Sequence, residues 1–131
     1  MNVVLSKGEV ASFLSQMKGI LKADTFNIDS HFRLIKNSKE EIEYSTPYTL
    51  IDLEYDVFDV VNELKSLEVS NYSESKLDRD DPNPPILLVF GKIINNREIY
   101  IKIKCRDIND IGQVICVSFH YAKWEMKYPY K

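Results

Sequence analysis

The stretch ILLVFGKIINNREIYIKIKCRDINDIGQVICVSFHY, residues 86–121, decides the fold of this chain. It contains three apolar-rich runs separated by short polar segments. Asn95-Asn96 suits a two-residue hairpin turn, because Asn tolerates the positive φ that such turns need. We therefore predict an antiparallel meander with strands over about 86–94, 97–105 and 113–120 and a second turn over 107–112.

Alternation along these strands sorts their side chains onto two faces. The face predicted to pack against helices carries Ile99, Ile101, Ile103, Cys105, Ile115, Val117 and Phe119. The opposite face is predicted to carry Tyr100, Lys102, Lys104, Cys116, Ser118 and His120. The sequence thus predicts one apolar face and one face rich in cations and titratable groups.

Two amphipathic helices are predicted upstream of the meander. The first has apolar residues at helical spacing from Val10 to Leu21, with Ser6 as N-cap and Glu9 as its capping-box partner. The second runs from about Asp56 to Leu67, with Asp56 as N-cap. Because helices come first and an antiparallel sheet last, the predicted class is α+β.

The segments between these elements give weaker signals. Short alternations at 32–34 and 42–44 predict a hairpin with its turn at 37–40, and Thr46-Pro47 predicts an extended bend. Residues 70–85 contain three prolines and many small polar residues, which predicts a long loop. The 131 residues are expected to form a single domain, 1–131, with this loop at about 70–85.

Charge is unevenly distributed along the chain. The formal net charge is −3, yet residues 92–131 carry +4 and residues 1–91 carry −7. This asymmetry suggests an anionic partner for the C-terminal part. With 44% hydrophobic and 28% charged residues and two cysteines, the composition excludes collagen-like, coiled-coil, disordered and disulfide-scaffold classes.

Several sites and locations are not expected. No metal-ligand spacing or cofactor motif is present, so we predict neither a metal nor a cofactor. The longest apolar run, residues 86–90, is too short to span a membrane, and residues 1–7 lack the features of a secretory signal. We therefore expect a cytoplasmic protein that has free, half-buried thiols at Cys105 and Cys116 and does not contact a membrane.

The polar sheet face suits RNA. Lysines attract phosphates, aromatic rings stack on unpaired bases, and His is matched to proton transfer near neutral pH. RNA also carries its own nucleophile, the 2′-OH. Alternation of Lys and Tyr with Ile is equally typical of any half-exposed antiparallel strand, so the pattern by itself leaves a purely structural interpretation open.

Several blocks of the chain resemble toxins of the MqsR family, within the RelE-like group of bacterial toxin–antitoxin systems. They are Val-Phe-Gly-Lys at 89–92, Glu-Ile-Tyr-Ile-Lys-Ile at 98–103, Val-Ile-Cys-Val-Ser-Phe-His-Tyr-Ala at 114–122 and the Tyr-Pro ending at 126–131. The resemblance implies a RelE-like fold, here an antiparallel sheet with the meander and an earlier hairpin packed against two helices. It also implies a metal-independent mRNA endoribonuclease held inactive by a cognate antitoxin protein.

The family's Tyr-hydrophobic-Lys motif falls on Tyr100 and Lys102, and a functional family lysine falls on His120, which is a departure. A family glutamine falls near Val89, and a family loop lysine falls near Ser73, with Lys76 nearby as a substitute. The predicted catalytic residues are His120, Tyr100 and Lys102. The predicted RNA-binding residues are Lys104, Lys76, Tyr121, Lys123 and Trp124.

A second hypothesis is a non-enzymatic interaction module, such as an antitoxin or immunity protein. The acidic first 91 residues favour it, because acidic surfaces commonly block basic nucleases. It predicts no toxicity and protection against a toxic neighbour.

Overall fold

A computed structural model describes residues 2–36 and 41–131. Within these ranges a mixed six-stranded sheet has the order β1-β3-β4-β5-β6-β2. Its strands are β1 (Asn2–Val3), β2 (Phe32–Leu34), β3 (Tyr72–Leu77), β4 (Ile86–Ile94), β5 (Arg97–Ile108) and β6 (Ile111–Tyr121). All neighbouring pairs are antiparallel except β2 and β6, which are parallel.

Helices pack against one face of this sheet and enclose the apolar core. Those described are α1 (Lys7–Leu21), α2 (Ile28–His31), α3 (Thr46–Leu53) and α4 (Val57–Lys65). The predicted capping box of Ser6 and Glu9 opens α1, and Asp56 caps α4. The predicted α+β class is confirmed.

The C-terminal meander is confirmed. The predicted bounds of β4 are those observed, and Asn95 and Asn96 form the turn with φ of 50° and 66°. The second turn is tighter than predicted, since Asn109 and Asp110 also have positive φ and let β5 and β6 extend to residues 108 and 111.

A β-bulge in β6 overturns part of the predicted alternation. Lys102 pairs with Ser118 while Ile103 pairs with Cys116, so Val117 is the extra residue. One extra residue reverses the side-chain facing beyond it. Cys116 therefore lies in the core instead of on the polar face, and Val117 lines the polar face instead of packing against helices.

Two upstream predictions are wrong and one is untested. Residues 32–34 form β2, which pairs with β6, and Ile42–Tyr44 forms a 3-10 turn, so no hairpin joins them. Pro47 lies in the first turn of α3, where its missing N–H costs nothing, so this segment is helical and not an extended bend. The predicted turn at 37–40 lies outside the described residues.

The predicted loop at 70–85 is shorter than expected. Its first part forms β3, which pairs with β1 and β4, and only residues 78–85 connect β3 to β4. Polar residues are accommodated in this strand because Ser75 shares a hydrogen bond with the buried Tyr72 hydroxyl, at 2.8 Å.

The tail after β6 crosses the sheet face that the helices leave open. Its Tyr128 hydroxyl donates to Glu98 at 2.5 Å, and its Tyr130 hydroxyl donates to the carbonyl of Leu5 at 2.6 Å. Gly91 permits this path, because a Cβ there would overlap Tyr128 and lie 2.9 Å from the Sδ of Met126. The tail thereby joins the two ends of the chain and forms a wall on the open face.

Candidate functional site: a groove on the open sheet face

A groove of about 740 Å³ lies on the sheet face opposite the helices. Strands β3, β5 and β6 supply its floor, and tail residues 123–127 supply one wall. The polar floor residues used below are Glu74, Lys76, Tyr100, Lys102, Ser118 and His120. The structure therefore brings together all three residues predicted to be catalytic.

Tyr100 and His120 form a stacked pair on the groove floor. They are direct partners across β5 and β6, with ring centroids 5.1 Å apart and ring planes 10° apart. The backbone carbonyl of Tyr121 accepts a hydrogen bond from His120 Nδ1 at 2.9 Å. Because a carbonyl oxygen only accepts, this contact assigns a proton to Nδ1.

Two lysines flank this pair. Lys76 on β3 places its Nζ 5.6 Å from the centre of the Tyr100 ring, within cation–π range. Lys102 is two residues from Tyr100 on the same strand and the same face, where it pairs with Ser118. A bound phosphate on this floor would contact cationic and proton-transferring groups together.

Lys123 and Trp124 lie on the tail side of the groove. Lys123 forms an ion pair with Glu41 at 2.6 Å, and its Nζ lies 5.6 Å from the Trp124 ring. The Trp124 side chain is 77% exposed, so its indole is accessible to a stacking partner.

Lys104 does not fit its predicted role in RNA binding. Its side chain is 2% exposed and its Nζ lies 2.6 Å from Asp78 and 3.3 Å from Asp81. It also donates to the carbonyls of Asp81 and Pro84. Lys104 therefore binds the 78–85 loop to β5, a structural role that alternation alone does not reveal.

Tyr121 does not fit its predicted role either. It lies on the helix-facing side, where its hydroxyl donates to Asp52 at 2.5 Å and the Arg97 guanidinium lies 3.5 Å from its ring centre. Burial is the larger cause and the hydrogen bond to Asp52 is the second, and together they raise the pKa of Tyr121 to about 12. Its ring is 2% exposed and cannot stack on a base in this conformation.

Sequence reasoning missed Glu74 as a groove residue. Its strand was predicted to be loop because three prolines and a string of small polar or charged residues argue against a helix or an inner strand. In the structure Glu74 lies on the floor beside Lys76, which shares its face of β3. The two-residue spacing of Glu74 and Lys76, in alternation with Ser73 and Ser75, was the available signal.

Two other properties of the described residues bear on function. None of the described helices is long and apolar enough to span a membrane. No group of three or more His, Cys, Asp or Glu side chains in residues 2–36 and 41–131 is placed to hold a metal ion.

Protein-family models, curated proteins and solved structures give no match to this chain. The functional interpretation therefore depends on the geometry of the groove.

Proposed function

We propose that this protein is a metal-independent endoribonuclease that cleaves single-stranded RNA such as mRNA, and that it is the toxin of a toxin–antitoxin pair. The stacked Tyr100–His120 pair on the floor of a lysine-flanked groove is the observation that carries this proposal. The resemblance of residues 98–103 and 114–122 to MqsR-family toxins supports it, and a cognate antitoxin protein is the proposed partner.

The proposed reaction uses the ribose 2′-OH as nucleophile. The 2′-OH gives its proton to a general base as the 2′-oxygen attacks the adjacent phosphorus, the bond from phosphorus to the 5′-oxygen breaks, and His120 Nε2 gives its proton to that leaving oxygen. Lys102 stabilises the extra negative charge of the phosphorane, and Tyr100 contacts the phosphate. The products are a 2′,3′-cyclic phosphate and a 5′-hydroxyl.

Binding in this proposal has separate contributions from charge and stacking. Lys76 and Lys123 attract the flanking phosphates, and the exposed Trp124 stacks on an unpaired base. Single-stranded RNA fits best, because its bases are free to stack.

His120→Ala tests the proposal directly. With purified protein, end-labelled single-stranded RNA and EDTA, we expect the wild type to release 2′,3′-cyclic phosphate ends. Loss of the proton donor should lower kcat/KM by about 100-fold or more. Wild-type protein that leaves RNA intact, or a His120→Ala variant with full activity, would contradict the proposal.

His31→Ala is the matched control. His31 is the chain's other histidine and lies outside the groove, where its Nδ1 accepts a hydrogen bond from the Asn27 N–H. We expect this variant to retain wild-type cleavage.

A second proposal, the interaction module, is favoured by the surface of the helical layer. Ile51 and Phe58 are 78% and 58% exposed there, within the acidic part of the chain. Expression in a bacterium distinguishes the two proposals, since a toxin arrests growth by itself whereas an immunity protein only protects against a toxic neighbour.

A further inference from the structure

We propose that Glu74 is the general base that removes the proton from the ribose 2′-OH. This inference rests on the proposed function and adds a residue that neither the sequence patterns nor the family resemblance assigned. It is carried by the position of Glu74 in the sheet and by the surroundings of one carboxylate oxygen.

Glu74 belongs to a row of residues that crosses the groove floor. It pairs with Val89 on β4, Val89 pairs with Lys102 on β5, and Lys102 pairs with Ser118 on β6. Partners across neighbouring strands share a face, so Glu74 lies on the same face as Lys102. A β-bulge between Tyr72 and Glu74 determines that the Glu74 side chain lies on this face.

The Oε1 atom of Glu74 is buried and lacks a hydrogen-bond donor among the residues that the structure describes. An unsatisfied buried oxygen destabilises the folded state, and more so when it is charged. Buried polar groups in folded proteins are nearly always hydrogen-bonded, to protein atoms or to ordered water. The Glu74 carboxylate lines the groove, where a substrate hydroxyl can donate to it.

The chemistry is balanced without a further reactant. The Glu74 carboxylate accepts the 2′-OH proton as the 2′-oxygen bonds to phosphorus, and His120 Nε2 releases a proton to the departing 5′-oxygen. The enzyme ends the step with Glu74 protonated and His120 neutral. Proton exchange with water restores both groups.

The proposed base and acid lie on different strands of the groove floor. Glu74 is on β3, and His120 is on β6, two residues beyond the Ser118 that shares the row of Glu74. The attacking and leaving oxygens lie on opposite sides of the phosphorus, so base and acid must also be separated. Lys102, on the strand between, is placed to contact the phosphate.

Glu74→Gln tests this role with two RNA substrates. One is a normal oligonucleotide, and the other carries sulfur in place of the leaving 5′-oxygen at the cleaved bond. A thiolate departs without a proton, so this substrate no longer needs the general acid. We expect Glu74→Gln to lower kcat/KM by about 100-fold or more on both substrates, whereas His120→Ala regains activity on the sulfur substrate.

Glu54→Gln is the control, because it removes the same charge from an exposed position at the end of α3. We expect it to cleave like the wild type. Glu74→Asp keeps a carboxylate and should show an intermediate rate. The Tm of Glu74→Gln should equal or exceed that of the wild type, since the substitution removes the charge from a half-buried carboxylate whose Oε1 is unsatisfied.

The possible failures are distinguishable. If the wild type leaves both substrates intact, the proposed function and this inference fail together. If the wild type cleaves while Glu74→Gln keeps full activity, or if the sulfur substrate rescues Glu74→Gln, only the role of Glu74 as base is overturned. A lower Tm with unchanged kcat/KM would assign Glu74 a structural role instead.

Discussion

The thiols of Cys105 and Cys116 show how strongly burial acts on single residues. Both lie on the helix-facing side of the sheet, with 7% and 0% of their surface exposed. Burial raises the pKa of each thiol to about 12. The Cys116 thiol also donates a hydrogen bond to the carbonyl of Ser118, at 3.3 Å. The protonated thiol is therefore the form that the folded state retains.

The raised pKa values of these thiols predict that the folded protein loses stability at alkaline pH. The unfolded chain loses its thiol protons near pH 9 and the folded chain near pH 12, so the free energy of unfolding falls as pH rises above 9. The slope approaches about 1.4 kcal/mol per pH unit for each thiol. Urea unfolding at pH 8 and pH 9.5 measures it, and the double variant Cys105→Ala, Cys116→Ala should show a smaller slope. An equal slope in both proteins would contradict the prediction.

At the scale of elements, a buried ion-pair network joins the 78–85 loop to β5. Burial disfavours the charge on Asp78, but the hydrogen bond from Lys104 and backbone N–H groups outweigh it, so the pKa of Asp78 lies below its usual range. Arg106 adds a contact to Asp81 at 2.8 Å. The loop is thereby held beside the groove that Asp80 lines.

Lys104→Met should therefore destabilise the protein by about 3 kcal/mol, because it leaves Asp78 buried without its cation. Glu43→Gln is the control. It breaks the exposed Arg97–Glu43 pair, at 3.8 Å, and should cost at most about 1 kcal/mol. Urea unfolding at pH 7 measures the free energy of unfolding of both variants, and equal decreases would contradict the prediction. The stabilisation that comes with the lowered pKa of Asp78 is fully present above the unfolded pKa near 4 and is lost as pH falls towards the folded pKa, so the loss for Lys104→Met should shrink at pH 3.

Local signals predicted the elements that have strong local causes. The capping box of α1, the Asp56 N-cap of α4, the Asn95-Asn96 turn and the alternation of β5 depend on residues close in sequence. The bulge at Val117, the strand β3 and the burial of Lys104 depend on partners far along the chain. Of the candidate site, Tyr100, Lys102 and His120 were predictable from alternation, whereas Glu74 required the pairing of β3.

At the scale of the whole molecule, the net charge of −3 conceals a division between two surfaces. Residues 1–91 carry −7 and supply the helical layer, while the groove takes Lys102, Lys123 and Lys127 from the basic C-terminal part. Lys76 adds a cation from β3, a strand in the acidic part of the sequence. The positions of the charged residues in the fold, and not the net charge of the chain, decide where an anion is attracted.

This division predicts how RNA binding depends on salt. If Lys76, Lys102 and Lys123 each neutralise one phosphate, log Kd for single-stranded RNA should rise with log salt concentration with a slope of about 2. Lys76→Ala should reduce the slope by about 0.7, whereas Lys22→Ala, at the exposed end of α1, should leave it unchanged. Fluorescence anisotropy between 50 and 300 mM salt, roughly the range in which such slopes are measured, tests this. A slope near zero would mean that these lysines do not neutralise RNA phosphates, and it would contradict the prediction.

The tail that crosses the open sheet face also has a kinetic consequence. Tyr130 contacts Leu5 across 125 residues of sequence and stacks on Tyr72 at 6.1 Å, so these contacts close a very long loop. Contacts of such separation form slowly, whereas the β4–β5 hairpin closes through its two-residue turn. A refolding chain can therefore complete its sheet before the tail docks. In that interval the protein has the floor of its groove but not the wall, so its secondary structure would recover before its ligand-binding capacity.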